Sequence, residues 1–129
     1  MDNGGITSHG NVPRIANRPP IFADTMKITY YGHSCFGVET SGKHLLFDPF
    51  VTGNTLATGL NVNTIRSDYI LLTHAHNDHI ADIEKVLFNN PDATIVGIWE
   101  IHAHYAAKGY KTHPMNKGGW WTFDFGRVK

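Results

Sequence analysis

The sequence predicts an α/β protein of the α+β kind, a mixed sheet with helices on one face. Three observations carry the expectation. Over residues 27–47, β-branched and aromatic residues alternate with smaller or polar ones across two short turns, the pattern of antiparallel strands. Further on, an apolar strand-like run leads into a helix-spaced stretch twice, over residues 69–87 and again over 94–108. At the first of those junctions stands Thr73-His74-Ala75-His76-Asn77-Asp78-His79, which cannot be explained as core packing. An antiparallel start followed by repeated strand-then-helix units gives a mixed sheet.

Residues 1–25 hold Gly4, Gly5, Gly10, Pro13, Pro19 and Pro20 among polar residues, with no apolar period, so a loose tail or leader is expected there, with His9 solvated. The domain proper is expected over residues 26–129. Residues 27–31 and 35–40 read as two strands, and His33 between them is either a turn residue or a group facing a cleft. Ser41-Gly42-Lys43 turns the chain into a third strand over 44–47, which Asp48-Pro49 ends. His44, at the start of that strand beside Lys43, reads as solvated. Residues 50–67 form a polar loop with Leu56, Leu60 and Val62 scattered in it, long enough to be a wall or lid over a substrate. A strand over 69–73 then reaches the histidine turn, where Asn77 or Asp78 can cap a helix running through Ile80, Ile83, Val86 and Leu87. Asn89-Asn90-Pro91-Asp92 stops the chain before a buried strand over 94–98. A helix over 99–108 follows, with Gly109 as its C-terminal stop. His102 and His104 point in different directions on that helix and are expected at the surface. Trp120, Trp121, Phe123 and Phe125 read as a strand and turn that pack as core or interface aromatics.

Composition excludes several classes of function. The chain has 129 residues, 41% hydrophobic and 17% charged, which suits one globular domain. With 11 basic and 11 acidic side chains and no basic block, no nucleic-acid partner is expected. The single Cys35 excludes an internal disulfide and is compatible with a reducing cytoplasm. No apolar run approaches the roughly eighteen residues of a membrane span, and residues 1–25 lack the apolar core of a signal peptide, so a soluble cytoplasmic protein with no membrane partner is expected.

The chemistry sits at the histidine turn. Imidazoles and a carboxylate crowded into residues 74–79 need partners at every ring nitrogen, and divalent cations satisfy them together. At an extended strand end His74 and His76 project to one side and can share an ion, while the turn aims Asp78 and His79 at an adjacent one.

His-x-His-x-Asp-His after an apolar strand resembles the signature of the metallo-β-lactamase fold hydrolases. Met26-Lys-Ile-Thr-Tyr-Tyr-Gly-His-Ser-Cys-Phe36, Leu46-Phe-Asp-Pro49 and Met115-Asn-Lys-Gly-Gly119 are similar to a bacterial and archaeal branch of metal-dependent hydrolases akin to the ascorbate-6-phosphate lactonases. The resemblance covers residues 26–129 and implies half of an αββα sandwich. It also implies two zinc ions, with manganese, iron or nickel as alternatives, activating a water against an ester, lactone or phosphoester in a small-molecule substrate. His74 and His76 would hold the first ion and Asp78 and His79 the second. Asp78 would also orient the attacking water or take a proton, and His33 is the other catalytic candidate. Asp48 would lie beneath the metal and orient a ligand imidazole. His113 and Asn116 are candidates for the cleft wall.

Members of that family carry a second half supplying a further metal-binding His, a bridging Asp and a final His. The present chain resembles the N-terminal half, so a homo-oligomer or the missing C-terminal half is expected to complete the site and cover an exposed apolar sheet face. A non-catalytic metal-binding or interaction half-domain needing a partner chain is the alternative function, and a structural assembly module is a third.

Overall fold

The computed structural model describes residues 25–129, so the expected tail and His9 lie outside the described residues apart from Thr25. In order, the described elements are β1 (Lys27–Gly32), β2 (Cys35–Thr40), β3 (Lys43–Phe47), a 3-10 turn (Val62–Thr64), β4 (Tyr69–Leu71), α1 (Asn77–Ile80), α2 (Ile83–Asn89), β5 (Thr94–Gly97), α3 (Trp99–Ala106), β6 (Thr112–Pro114), β7 (Trp121–Phe123) and β8 (Gly126–Val128). The first six strands form one sheet in the order β1-β2-β3-β4-β5-β6, and among the described residues β7 pairs only with β8. β1, β2 and β3 are antiparallel neighbours, whereas β3 to β6 run parallel. Two antiparallel steps make β1 parallel to β3. Five strands therefore end at one edge of the sheet, and the turns leaving that edge carry His33, Asp48, Thr73 to His79, Trp99 and Asn116. Open α/β sheets bind ligands outside such carboxyl ends.

The expected mixed sheet with helices on one face is what forms. Alternation along the strands sends Leu46, Ile70 and Ile95 to the helix side, where they meet Ile83, Val86 and Leu87 of α2 and Ile101 and Tyr105 of α3. Burying each such aliphatic side chain is worth about 1.5–3 kcal/mol. The loop over residues 50–67 is not a free lid. Val51, Ala57, Val62 and Ile65 insert into the same core, whereas Leu56 and Leu60 of the same loop stay exposed.

The other face is half covered. Leu45, Leu71 and Val96 point away from the helices, and the β7–β8 hairpin lays Phe123, Phe125 and Val128 over them. The aromatics after Trp120 thus cap this chain's own sheet. Beyond the hairpin, towards β1, Ile28 and Tyr30 are each 63% exposed and Phe36 38%. They line up with the covered positions through Ile28↔Val38, Tyr30↔Phe36 and Phe36↔Phe47.

Three local expectations need correction. The helix read continuously through Ile80, Ile83, Val86 and Leu87 is broken into α1 and α2, because Asp82 sits at the break as a buried anchor. Its Oδ2 accepts the N–H groups of Val51 and Thr52 at 2.7 Å each, its Oδ1 accepts from Lys85 Nζ at 2.8 Å, and its own N–H donates to Pro49 O. The cap of α1 is His76, without a side-chain capping bond, instead of Asn77 or Asp78. His44 is half-buried, not solvated, since the β3–β4 pairing brings Asp68 against it: Asp68 Oδ2 accepts the His44 backbone N–H at 2.8 Å and lies 3.4 Å from its Nδ1.

Candidate metal centre

Asp48 is the buried centre of the site, 2% exposed at the end of β3. Its backbone adopts φ 42°, a left-handed conformation that turns the carboxyl back under the neighbouring strand end, and its N–H donates to Leu71 O at 3.1 Å. Oδ1 accepts the Thr73 backbone N–H at 2.8 Å, and Oδ2 accepts the Thr73 hydroxyl at 2.8 Å. The same Oδ2 stands 2.9 Å from His79 Nδ1, at ion-pair distance but outside the angular range of a hydrogen bond. Thr73 Oγ1 lies 2.9 Å from His74 Nδ1.

Proton accounting then sets the tautomers. A carboxylate only accepts, so the single Thr73 hydroxyl proton goes to Asp48. The Thr73 oxygen must accept in turn from His74 Nδ1–H, which leaves His74 Nε2 as a bare lone pair. Asp48 likewise favours the proton on His79 Nδ1 and leaves its Nε2 bare. One buried carboxylate orients His79 directly and His74 through Thr73.

His74 and His76 come together at the strand end. His74 Nε2 faces His76 Nδ1 at 3.0 Å, a spacing two lone pairs tolerate only with a proton or cation between them. The His74 ring packs on His76 with centroids 4.5 Å apart and on His79 at 4.0 Å. Across the cleft, the β1–β2 turn brings in His33, whose Nε2 lies 3.1 Å from Asp78 Oδ2 and whose ring meets Phe50 edge-on at 5.7 Å. Gly32 makes this turn possible: it holds φ +106°, and a Cβ there would stand 2.6 Å from Asn54 Nδ2. His79 Nε2 is 4.0 Å from the same Asp78 oxygen. Desolvation pushes the Asp78 carboxyl up, but its backbone N–H in the first turn of α1 and the His79 and His33 imidazoles outweigh that and hold it below the usual carboxylate range. It is ready to act as an anion. Imidazole nitrogens mixed with a carboxylate oxygen suit zinc and neighbouring first-row divalent ions, so the residues fit a metal centre.

His74, His76, Asp78, His79, His33 and Asp48 therefore form one cluster. His113 and Asn116 stand apart from it. His113 pairs in register with Val96, and its ring packs against Trp121 at 4.9 Å and Phe123 at 5.0 Å. Asn116 Oδ1 accepts the Trp99 N–H at 3.2 Å, at the start of α3. Both line a cavity of ≈ 130 Å³ with Met115, Trp120 and Trp121, along the edge that carries the cluster. Thr73, which links Asp48 to the cluster, and Asp82, the anchor between α1 and α2, are not among the residues singled out by the sequence. Thr73 looked like one more β-branched strand residue, while an acid inside the apolar stripe of Ile80, Ile83 and Val86 was a signal for Asp82.

Comparison with known proteins identifies the family. Residues 27–125 match the family described as "Beta-lactamase superfamily domain". The chain is 54% identical over 104 residues to a "UPF0173 metal-dependent hydrolase" of Flavobacterium johnsoniae, covering 81% of this chain and 46% of that protein. A protein of the same description from Bacillus subtilis is 46% identical over 104 residues, covering 81% and 45%. The chain thus spans about half the length of the curated relatives it matches. Among solved structures, Igni18, "a novel metallo hydrolase" from Ignicoccus hospitalis, is similar with a TM-score of 0.69 and 33% identity, covering 77% of this chain and 43% of that one. An isothiocyanate hydrolase from Delia radicum gut bacteria shares the fold, with a TM-score of 0.56 and 19% identity over 74% of this chain and 43% of that one.

Proposed function

The chain belongs to the beta-lactamase superfamily, through the domain matched by residues 27–125, and from that premise we propose that it carries the metal-binding part of a metal-dependent hydrolase. The observation that carries the reading is the Asp48–Thr73 relay, which engages Nδ1 of His74 and of His79 and leaves the Nε2 of each free to bind an ion. His74 and His76 would hold one divalent ion, Asp78 and His79 a second, with zinc the first choice and manganese, iron or nickel alternatives. Such ions, when bound, lower the pKa of a water from about 15.7 towards 7 and polarise the substrate oxygen. Asp78, held as an anion, orients the attacking water and can take its proton, while His33 faces it across the cleft. The substrates are small-molecule esters, lactones or phosphoesters. A buried single thiol and the absence, among the described residues, of a helix long and apolar enough to cross a membrane accord with a cytoplasmic site of action.

The test is elemental analysis of metal per chain together with solution mass, followed by a screen of generic ester, lactone and phosphodiester substrates. Two ions per chain and turnover abolished in Asp78→Ala support the proposal. A folded sample with neither metal nor turnover removes it.

A second reading rests on the exposed Ile28, Tyr30 and Phe36 strip. The chain would then be a metal-binding half-domain whose turnover needs a second copy or a partner chain over that strip. Metal uptake without turnover in a monomeric sample would favour it.

A further inference from the structure

The geometry points to His33 as a metal ligand: its Nε2, with Asp78 Oδ2 and His79 Nε2, forms a donor set that holds one divalent cation with this chain's own residues. The inference deepens the proposed function and rests on it, since it concerns the second of its two ions.

The donor atoms of His33, Asp78 and His79 all lie within 4.8 Å of one another. His33 Nε2 is 3.1 Å and His79 Nε2 4.0 Å from Asp78 Oδ2. In a tetrahedral site with bonds of about 2.0–2.1 Å, neighbouring donors stand about 3.3 Å apart, so small side-chain rotations close the set on one ion. Each donor is also supported from behind. Asp48 faces His79 Nδ1, the turn of α1 fixes Asp78, and Phe50 meets the His33 ring edge-on.

The backbone adds an independent argument. His33 sits at φ 53°, in the left-handed region where glycine or asparagine is the ordinary occupant of a two-residue turn. Histidine, with Asn and Asp, is among the few side chains that tolerate this conformation, and here it aims the imidazole at the Asp78 carboxylate. His74 and His76 supply only two donors, whereas this set supplies three. Within this chain the second site is therefore the tighter one and fills first.

The experiment is a titration of the metal-free 129-residue chain with Co²⁺, followed by visible absorption and by elemental analysis of ions per chain. His76→Ala, which removes the first pair, is expected to keep one ion. Adding His33→Gln, which retains a hydrogen-bond donor for Asp78 but no imidazole, is expected to weaken that remaining ion roughly tenfold or more and change its visible band. His33→Gly guards against misfolding: it relaxes the φ 53° backbone, so the metal-free protein should melt no lower than wild type and still lose the ion. Unchanged Co²⁺ affinity and spectrum in both His33 variants would overturn the ligand role while leaving the hydrolase proposal standing. A folded wild-type chain that takes up no Co²⁺ would bring down both.

Discussion

Asp48 shows how much one buried side chain can decide. It touches Thr73 twice and His79 once, so its replacement strands several polar groups together. Asp48→Asn, which keeps the shape but puts an amide where a second acceptor oxygen stood, is expected to lower metal affinity about 10- to 100-fold, measured by competition with a chromogenic chelator. Thr73→Val removes the relay to His74 together with the hydroxyl bond to Asp48 Oδ2, and should weaken the first ion more than the second; equal loss at both would overturn the relay. Cys35 behaves differently. Burial pushes its thiol up to about 11, against a smaller opposing hydrogen bond from the Phe50 backbone, so it should resist thiol reagents at pH 8 until the protein is unfolded. Of these residues, Asp48 was legible through the resemblance of Leu46-Phe-Asp-Pro49, and the four candidate ligands His74, His76, Asp78 and His79 through their spacing. Thr73 was not, because its role exists only once residue 48, 25 positions earlier, is folded beneath it.

At the level of elements, strand and helix periods were readable wherever one face is buried. Strands β1 to β5 and helix α3 fall within a few residues of their expected limits. The break between α1 and α2 was hidden, since Ile80, Ile83, Val86 and Leu87 keep helical spacing straight across it. What interrupts the helix is a tertiary bond set at Asp82, invisible to any local window. Asp82→Ala leaves the buried Val51 N–H and the part-buried Thr52 N–H without their acceptor and should cost about 1–3 kcal/mol by chemical denaturation, with faster hydrogen exchange at both amides. Burial pushes the Asp82 carboxyl up, but Lys85 and the Thr52 and Val51 groups outweigh this and leave it below its ordinary value. A depressed carboxyl stabilises above its unfolded pKa, about 4, and that stability is lost as pH falls through the lower folded value. Protection at Val51 and Thr52 should accordingly persist at pH 5 and fade below about pH 4.

Across the whole molecule, the sheet divides labour between its faces and its edges. The helix face is a continuous core, while the hairpin face changes from covered to bare between Val38 and Ile28. The sequence reading foresaw an exposed apolar face but not its partial cover, because the β7–β8 aromatics give no sign of which surface they close on. If a second copy occupies the bare strip, Ile28→Lys should weaken self-association about tenfold or more in sedimentation equilibrium without lowering the melting temperature. A wild-type chain that stays monomeric at all concentrations would remove self-pairing.

The carboxylate of Asp48 reaches both halves of the histidine cluster, and that has a thermodynamic meaning beyond alignment. Ordering His79 for one guest quiets the same lever that, through Thr73, orders His74 for the other. The entropy lost in the first arrival need not be lost again, and it works against the repulsion between two dications. Occupancy would then rise more steeply than for two independent guests, with a slope that flattens when Thr73 is changed to valine and the lever is cut.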